Sequence, residues 1–76
     1  MYTKKSYILI TFHTTTQAVH FESCCDIEGR LIPLPSSVSA GCGLAWRSDV
    51  KDKLALLDFI KENKIAYAQM IEMMMR

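Results

Sequence analysis

A chain of 76 residues has room for one domain over residues 1–76 and no second lobe, because folding at this size buries only about 60–65% of the unfolded surface. Its 50% hydrophobic and 22% charged residues describe a compact globule rather than a disordered segment. A net charge of +1 supplies no general field for a polyanion, which argues against strong non-specific binding of nucleic acid or anionic lipid.

No run approaches the roughly 18–20 apolar residues that span a bilayer, so no membrane association is expected. Tyr7 to Phe12 is too short for the apolar core of a signal peptide and is ended by His13 and three threonines. The chain is therefore read as cytoplasmic. Three cysteines, two of them adjacent, are expected as reduced thiols rather than as a disulfide framework.

In chain order, Ser6 to Phe12 is rich in β-branched and aromatic residues and predicts a largely buried strand. Thr14, Thr15 or Thr16 then caps a helix whose inner face carries Ala18, Phe21 and Cys25 at the i, i+3, i+7 spacing. Glu28-Gly29 is read as its end, with the glycine as cap. Arg30 to Leu34 predicts a short second strand stopped by Pro35. After a loop, Gly43 to Arg47 predicts a third strand. Ser48 or Asp49 caps a second helix with Val50, Leu54, Leu57 and Ile60 as its apolar stripe, ending at Asn63-Lys64.

Ile65 to Met74 is ambiguous, since alanine, glutamine and methionine favour helix on propensity. A fourth strand is nevertheless expected, because the preceding order leaves a sheet position open beside the first strand. The resulting order βαββαβ is α+β of the ferredoxin-like type, an antiparallel sheet with two helices on one face. Met73 to Met75 would extend past the sheet into a contact with a partner or with a second copy as a homodimer.

The stretch from Pro33 to Trp46 is the part of the chain that looks like chemistry. Pro33 and Pro35 each fix φ and remove a donor, and Ser36, Ser37 and Ser39 bond readily to their own backbone, so a loop is expected. Gly41 and Gly43 leave the Cys42 thiol without side-chain neighbours in sequence and permit positive φ, so that consecutive amides could point at a sulfur anion. A thiol placed in this way is open to attack and easily ionised; the alternative is a small apolar cysteine packed at a strand start. Ser39 could donate to the thiolate or simply form the turn.

Other candidates carry weaker signals. Cys24 and Cys25 are adjacent on a helix and diverge by about 100°, so they cannot grip one metal together; Cys25 belongs to the inner face, and Cys24 could serve as a resolving thiol. His13, Thr14 and Thr15 precede a helix and could bind an anion through free amides, although capping alone accounts for the threonines. Arg30 and Arg47 flank the loop and the third strand, where either could bring positive charge near the thiol. No phosphate-binding glycine loop, catalytic triad or metal-ligand spacing is present, so no metal and no cofactor are expected and a stand-alone enzyme is a poor reading.

Tyr7 to Thr16, Glu22, Arg30-Leu-Ile-Pro-Leu-Pro and Val38-Ser-Ala-Gly-Cys-Gly-Leu-Ala-Trp46 together resemble the small sulfur/selenium carrier-like domains of bacteria. The sharpest part of the resemblance is the proline-containing loop leading into Ser39-x-x-Cys42-Gly43. It implies that Cys42 carries sulfur or selenium as a persulfide or perselenide, with Ser39, Gly41 and Gly43 supporting the loop. It implies two partners, a cysteine desulfurase-type donor and an acceptor protein, which would dock on the rim from Gly41 to Trp46. Ser36 stands where that family commonly has an arginine. The reading from a different class is a non-catalytic binding or regulatory module that uses the Pro33–Gly43 loop as a recognition surface.

Overall fold

The computed structural model describes residues 5–35 and 43–75. Its elements are β1 (Lys5–Thr11), α1 (Thr15–Cys24), β2 (Arg30–Pro33), β3 (Leu44–Asp49), a 3₁₀ turn (Val50–Asp52), α2 (Lys53–Asn63) and β4 (Gln69–Met75). The strands form one antiparallel sheet in the order β2-β3-β1-β4. This α+β arrangement is compatible with a ferredoxin-like fold, and β1, the most buried of the described strands, lies inside the sheet with a partner on each edge.

Alternation along β1 divides the sheet into two faces. Ile8 and Ile10 point to one of them and join Phe12, Trp46, Ala18 and Phe21 of α1, and Leu56 and Ile60 of α2 in a single buried cluster. Leu9, Thr11 and Ala45, whose side chains project the other way, are also fully buried. At the centre of the cluster Phe21 meets three rings, with centroids 5.5 Å from Phe12, 5.2 Å from Trp46 and 5.5 Å from Phe59. Tilted and edge-on aromatic contacts of this kind add about 0.5–1.5 kcal/mol each beyond the area they bury.

Helix α1 begins as the threonine cluster suggests. Thr14 is the N-cap, and its Oγ1 accepts from the Gln17 amide at 3.1 Å while Gln17 Oε1 accepts from the His13 amide at 3.0 Å. Its end differs from the expectation. The helix stops at Cys24, and extended Cys25 returns its N–H to Phe21 O at 2.9 Å, so Gly29 is not a cap. Gly29 is instead pressed against β3, where an added Cβ would lie 2.5 Å from Arg47 O and from Ser48 Oγ.

The second helix also departs from its expected stripe. Leu56 and Ile60 are its buried residues, with Phe59 half-buried beside them, whereas Leu54 is 75% exposed and Leu57 37% exposed. The cause is the 3₁₀ turn at Val50–Asp52, which advances about 120° per residue rather than 100° and so changes the phase before α2 begins. Trp46, anticipated on a partner-facing rim, is 3% exposed and belongs to the core. Its indole N–H donates to Ser48 Oγ at 2.7 Å, and that hydroxyl donates to Glu28 O at 2.8 Å. Ser48 is thereby taken from capping, and Asp49 caps the 3₁₀ turn rather than α2, whose own N-cap is Asp52 with no side-chain cap bond.

Asp49 Oδ1 accepts from the Lys51 amide at 3.1 Å, and Oδ2 lies 3.0 Å from Lys5 Nζ. These contacts, the amide first and then the lysine, hold the carboxyl below the ordinary aspartate range. A carboxyl depressed in the folded state contributes stability above its unfolded pKa of about 3.9, and that contribution is lost as pH falls through the folded value. Titration of Asp49 followed by carboxyl NMR should therefore give a midpoint below about 3.9, and Asp49→Asn should flatten the loss of stability below that pH. A midpoint at or above the ordinary value would contradict the cap and ion pair.

The ambiguous C-terminal stretch is a strand. Lys64 ends α2 in the left-handed region at φ 51°, and Ile65 N–H reaches back to Ile60 O at 3.0 Å. Ala68 N–H then bonds Thr11 O at 2.7 Å, and β4 pairs along β1 from Gln69↔Thr11 to Met75↔Lys5. Pairing across seven positions outweighs the helical propensity of methionine and glutamine. Among the described residues, no helix is long and apolar enough to cross a membrane.

Candidate functional site

The connection between β2 and β3 carries the sequence candidates Ser39, Gly41 and Cys42, which lie outside the described residues, as do Ser36 and Ser37. Its two roots are described. Pro33 pairs with Leu44 at the end of the ladder, and Leu34 N–H donates to Gly43 O at 2.9 Å, which holds the roots together. Pro33 occupies an edge strand, where its missing donor costs no ladder bond. Gly43 has φ 76° with open space around the position a Cβ would take. Glycine is demanded there by backbone conformation and not by crowding. Cys42 is joined directly to this residue.

The register shows what shares this end of the sheet. Thr11 lies opposite Ala45, and Pro33 opposite Leu44, so β1 ends where β2 ends and β3 begins. His13, Thr14 and Thr15 follow β1 directly, and all three are exposed at the same end of the sheet as the loop roots. The Thr14 hydroxyl is engaged in its cap. Arg47 is not at this end. It is three pairs along β3 from Leu44, with its guanidinium carbon 4.8 Å from the centre of the Tyr7 ring and with Arg30 directly opposite.

The two described cysteines have different surroundings. Cys25 is half-buried against the core, and burial is the main cause that pushes its thiol above the ordinary cysteine value. Cys24 is exposed, with Sγ 3.7 Å from His20 Nε2 and 3.8 Å from Ser23 Oγ. The His20–Cys24 contact follows from the spacing of four residues on a helix. Among the described residues, no group of three or more histidine, cysteine or acidic side chains is placed to hold a metal ion.

An antiparallel four-stranded sheet with two helices defines a small α+β protein, in whose sequence the segment between β2 and β3 carries a glycine-flanked cysteine. The family described as "putative Se/S carrier protein-like" matches residues 7–72, and the chain belongs to that family. No curated protein and no solved structure matches it.

Proposed function

We propose that this chain is a sulfur or selenium carrier whose cargo is bound covalently at Cys42. The observation that carries the reading is the family match over residues 7–72, which spans the loop containing Ser39, Gly41, Cys42 and Gly43. In the step proposed, the Cys42 thiolate attacks the outer sulfur of a persulfide on a donor of the cysteine desulfurase type. The S–S bond of the donor breaks, a new one forms on Cys42, and the donor cysteine leaves as thiolate, so that no external oxidant or reductant is consumed. A perselenide follows the same electron count. An acceptor protein then removes the outer atom by the same exchange.

The fold proposed for this carrier is a ferredoxin-like sandwich forming a single domain over residues 1–76. The shared core of Ile8, Ile10, Phe21 and Leu56 supports placing both helices on one face of the sheet. Trp46 is buried and unavailable to a partner, so docking would use the loop and the exposed His13–Thr15 turn beside its roots. Gly43 at positive φ supports a turn that aims consecutive amides toward the neighbouring sulfur.

The test is sulfur transfer from a cysteine desulfurase to Cys42→Ser, Cys24→Ser and Cys25→Ser proteins, each first shown to be folded by Trp46 fluorescence. Cys42→Ser is expected to abolish loading, and the other two to retain it. Full loading of folded Cys42→Ser would overturn the carrier reading and favour a binding module that recognises ligands through the loop.

A further inference from the structure

A second site lies away from the loop, at the other end of the β2–β3 ladder. Arg30 and Arg47 are directly opposite each other in the register, so both side chains project from the same face of the sheet. Opposed like charges on neighbouring strands destabilise a sheet unless something compensates them. Neither arginine is in an ion pair among the described residues, where the only one is Lys5–Asp49 at 3.0 Å. Arg30 has no hydrogen-bond or ion-pair partner there, and Arg47 rests on the Tyr7 ring 4.8 Å from its centre.

Both arginines line a cavity of about 320 Å³, together with Tyr7, Lys5 and Lys51. Three carboxylates share its wall. Asp49 is already held by Lys5 and the Lys51 amide, while Glu28 and Asp52 make no ion pair with either arginine. Two guanidiniums offer planar, fixed forks of N–H donors matched to multi-oxygen anions, and with Lys5 and Lys51 they give the lining four cations against three carboxylates. Tyr7, which also lines the cavity, carries a hydroxyl that can donate.

We propose that the Arg30–Arg47 cavity binds a tetrahedral dianion of the sulfate or phosphate type. The site is independent of the Cys42 reading, since it lies three residue pairs, about 10 Å, from the ladder end where the loop departs. A bare sulfate occupies only part of the volume, so the same fork serves a free anion or the head of a phosphate monoester.

The test titrates sodium sulfate, methyl phosphate and acetate into the full chain at pH 7.5 and constant ionic strength, followed by backbone-amide NMR. Saturable shifts from sulfate or methyl phosphate are expected at Tyr7, residues 28–30 and residues 47–51, with acetate much weaker. Tighter binding of methyl phosphate than of sulfate assigns the site to an ester, and the reverse assigns it to the free anion. Arg30→Gln and Arg47→Gln should each weaken binding about tenfold or more, the loss expected for one charge-assisted contact. Arg30 is exposed on an edge strand, so Arg30→Gln should fold, and without anion it should raise the thermal midpoint by relieving the opposed charges. Non-saturable shifts spread over the surface lysines, or a sulfate affinity unchanged in both variants, would overturn the proposal.

Discussion

Phe21→Ala is expected to lower folding stability by about 3–5 kcal/mol, the usual cost of emptying a buried phenylalanine site. Phe21 is fully buried and is the ring through which Phe12, Trp46 and Phe59 meet, so its loss leaves a cavity that β1, β3 and α2 must all move to fill. At about 0.05–0.15 kcal/mol per residue, 76 residues have roughly 4–11 kcal/mol in total, and a loss of this size removes about a quarter or more of it. The denaturant midpoint followed by Trp46 fluorescence reads the effect. Val19→Ala, in the same helix at a side chain 50% exposed, is the control and should fall within about 0.5 kcal/mol of the parent. Equal midpoints for the two variants would show that the aromatic cluster does not hold the fold.

The second large effect is expected at Gly29. A Cβ there would meet Arg47 O and Ser48 Oγ at 2.5 Å and Trp46 Cε2 at 2.8 Å. Overpacking of this kind costs about 1–3 kcal/mol and sometimes more. Gly29→Ala should reach the upper end, because one obstacle is the backbone of β3, which is fixed by pairing on both sides. Displacing Ser48 would also break the bonds from Trp46 Nε1 and to Glu28 O. A decrease of the denaturant midpoint with a red-shifted Trp46 emission is the expected signature. A midpoint unchanged from the parent would mean that the chain between α1 and β2 does not press on β3 in solution.

These two sites also show where the sequence was legible and where it was not. The β-branched and aromatic run from Ser6 to Phe12 and the helical spacing of Ala18, Phe21 and Cys25 carried the first strand and helix, because in both the local pattern and the tertiary burial agree. Gly29 was misread as a cap. A glycine in sequence announces conformational freedom or close approach without saying which, and only the β3 backbone beside it decides. The α2 stripe was misplaced by a single 3₁₀ turn, which changes the phase of every following residue while leaving composition untouched. Residues 65–75 required a topological argument, since their own propensity points to helix and the pairing with β1 lies 58 residues away, as in Thr11 and Gln69.

For the candidate site, residue types were legible and positions were not. The glycine at position 43 announced the positive φ that the structure has, whereas nothing in the spacing of Arg30 and Arg47 announced that they face each other. That contact depends on the register of β2 on β3. His13 reaches the loop end of the sheet for the same kind of reason, through the antiparallel pairing of β1 with β3.

The most direct test of the carrier account is the intact mass of the unmodified chain after incubation with cysteine and a cysteine desulfurase, followed by peptide mapping and by treatment with reductant. The account predicts a gain of one sulfur atom, localised to Cys42 and lost on reduction. No adduct, or one shared equally between Cys24 and Cys42, would contradict it.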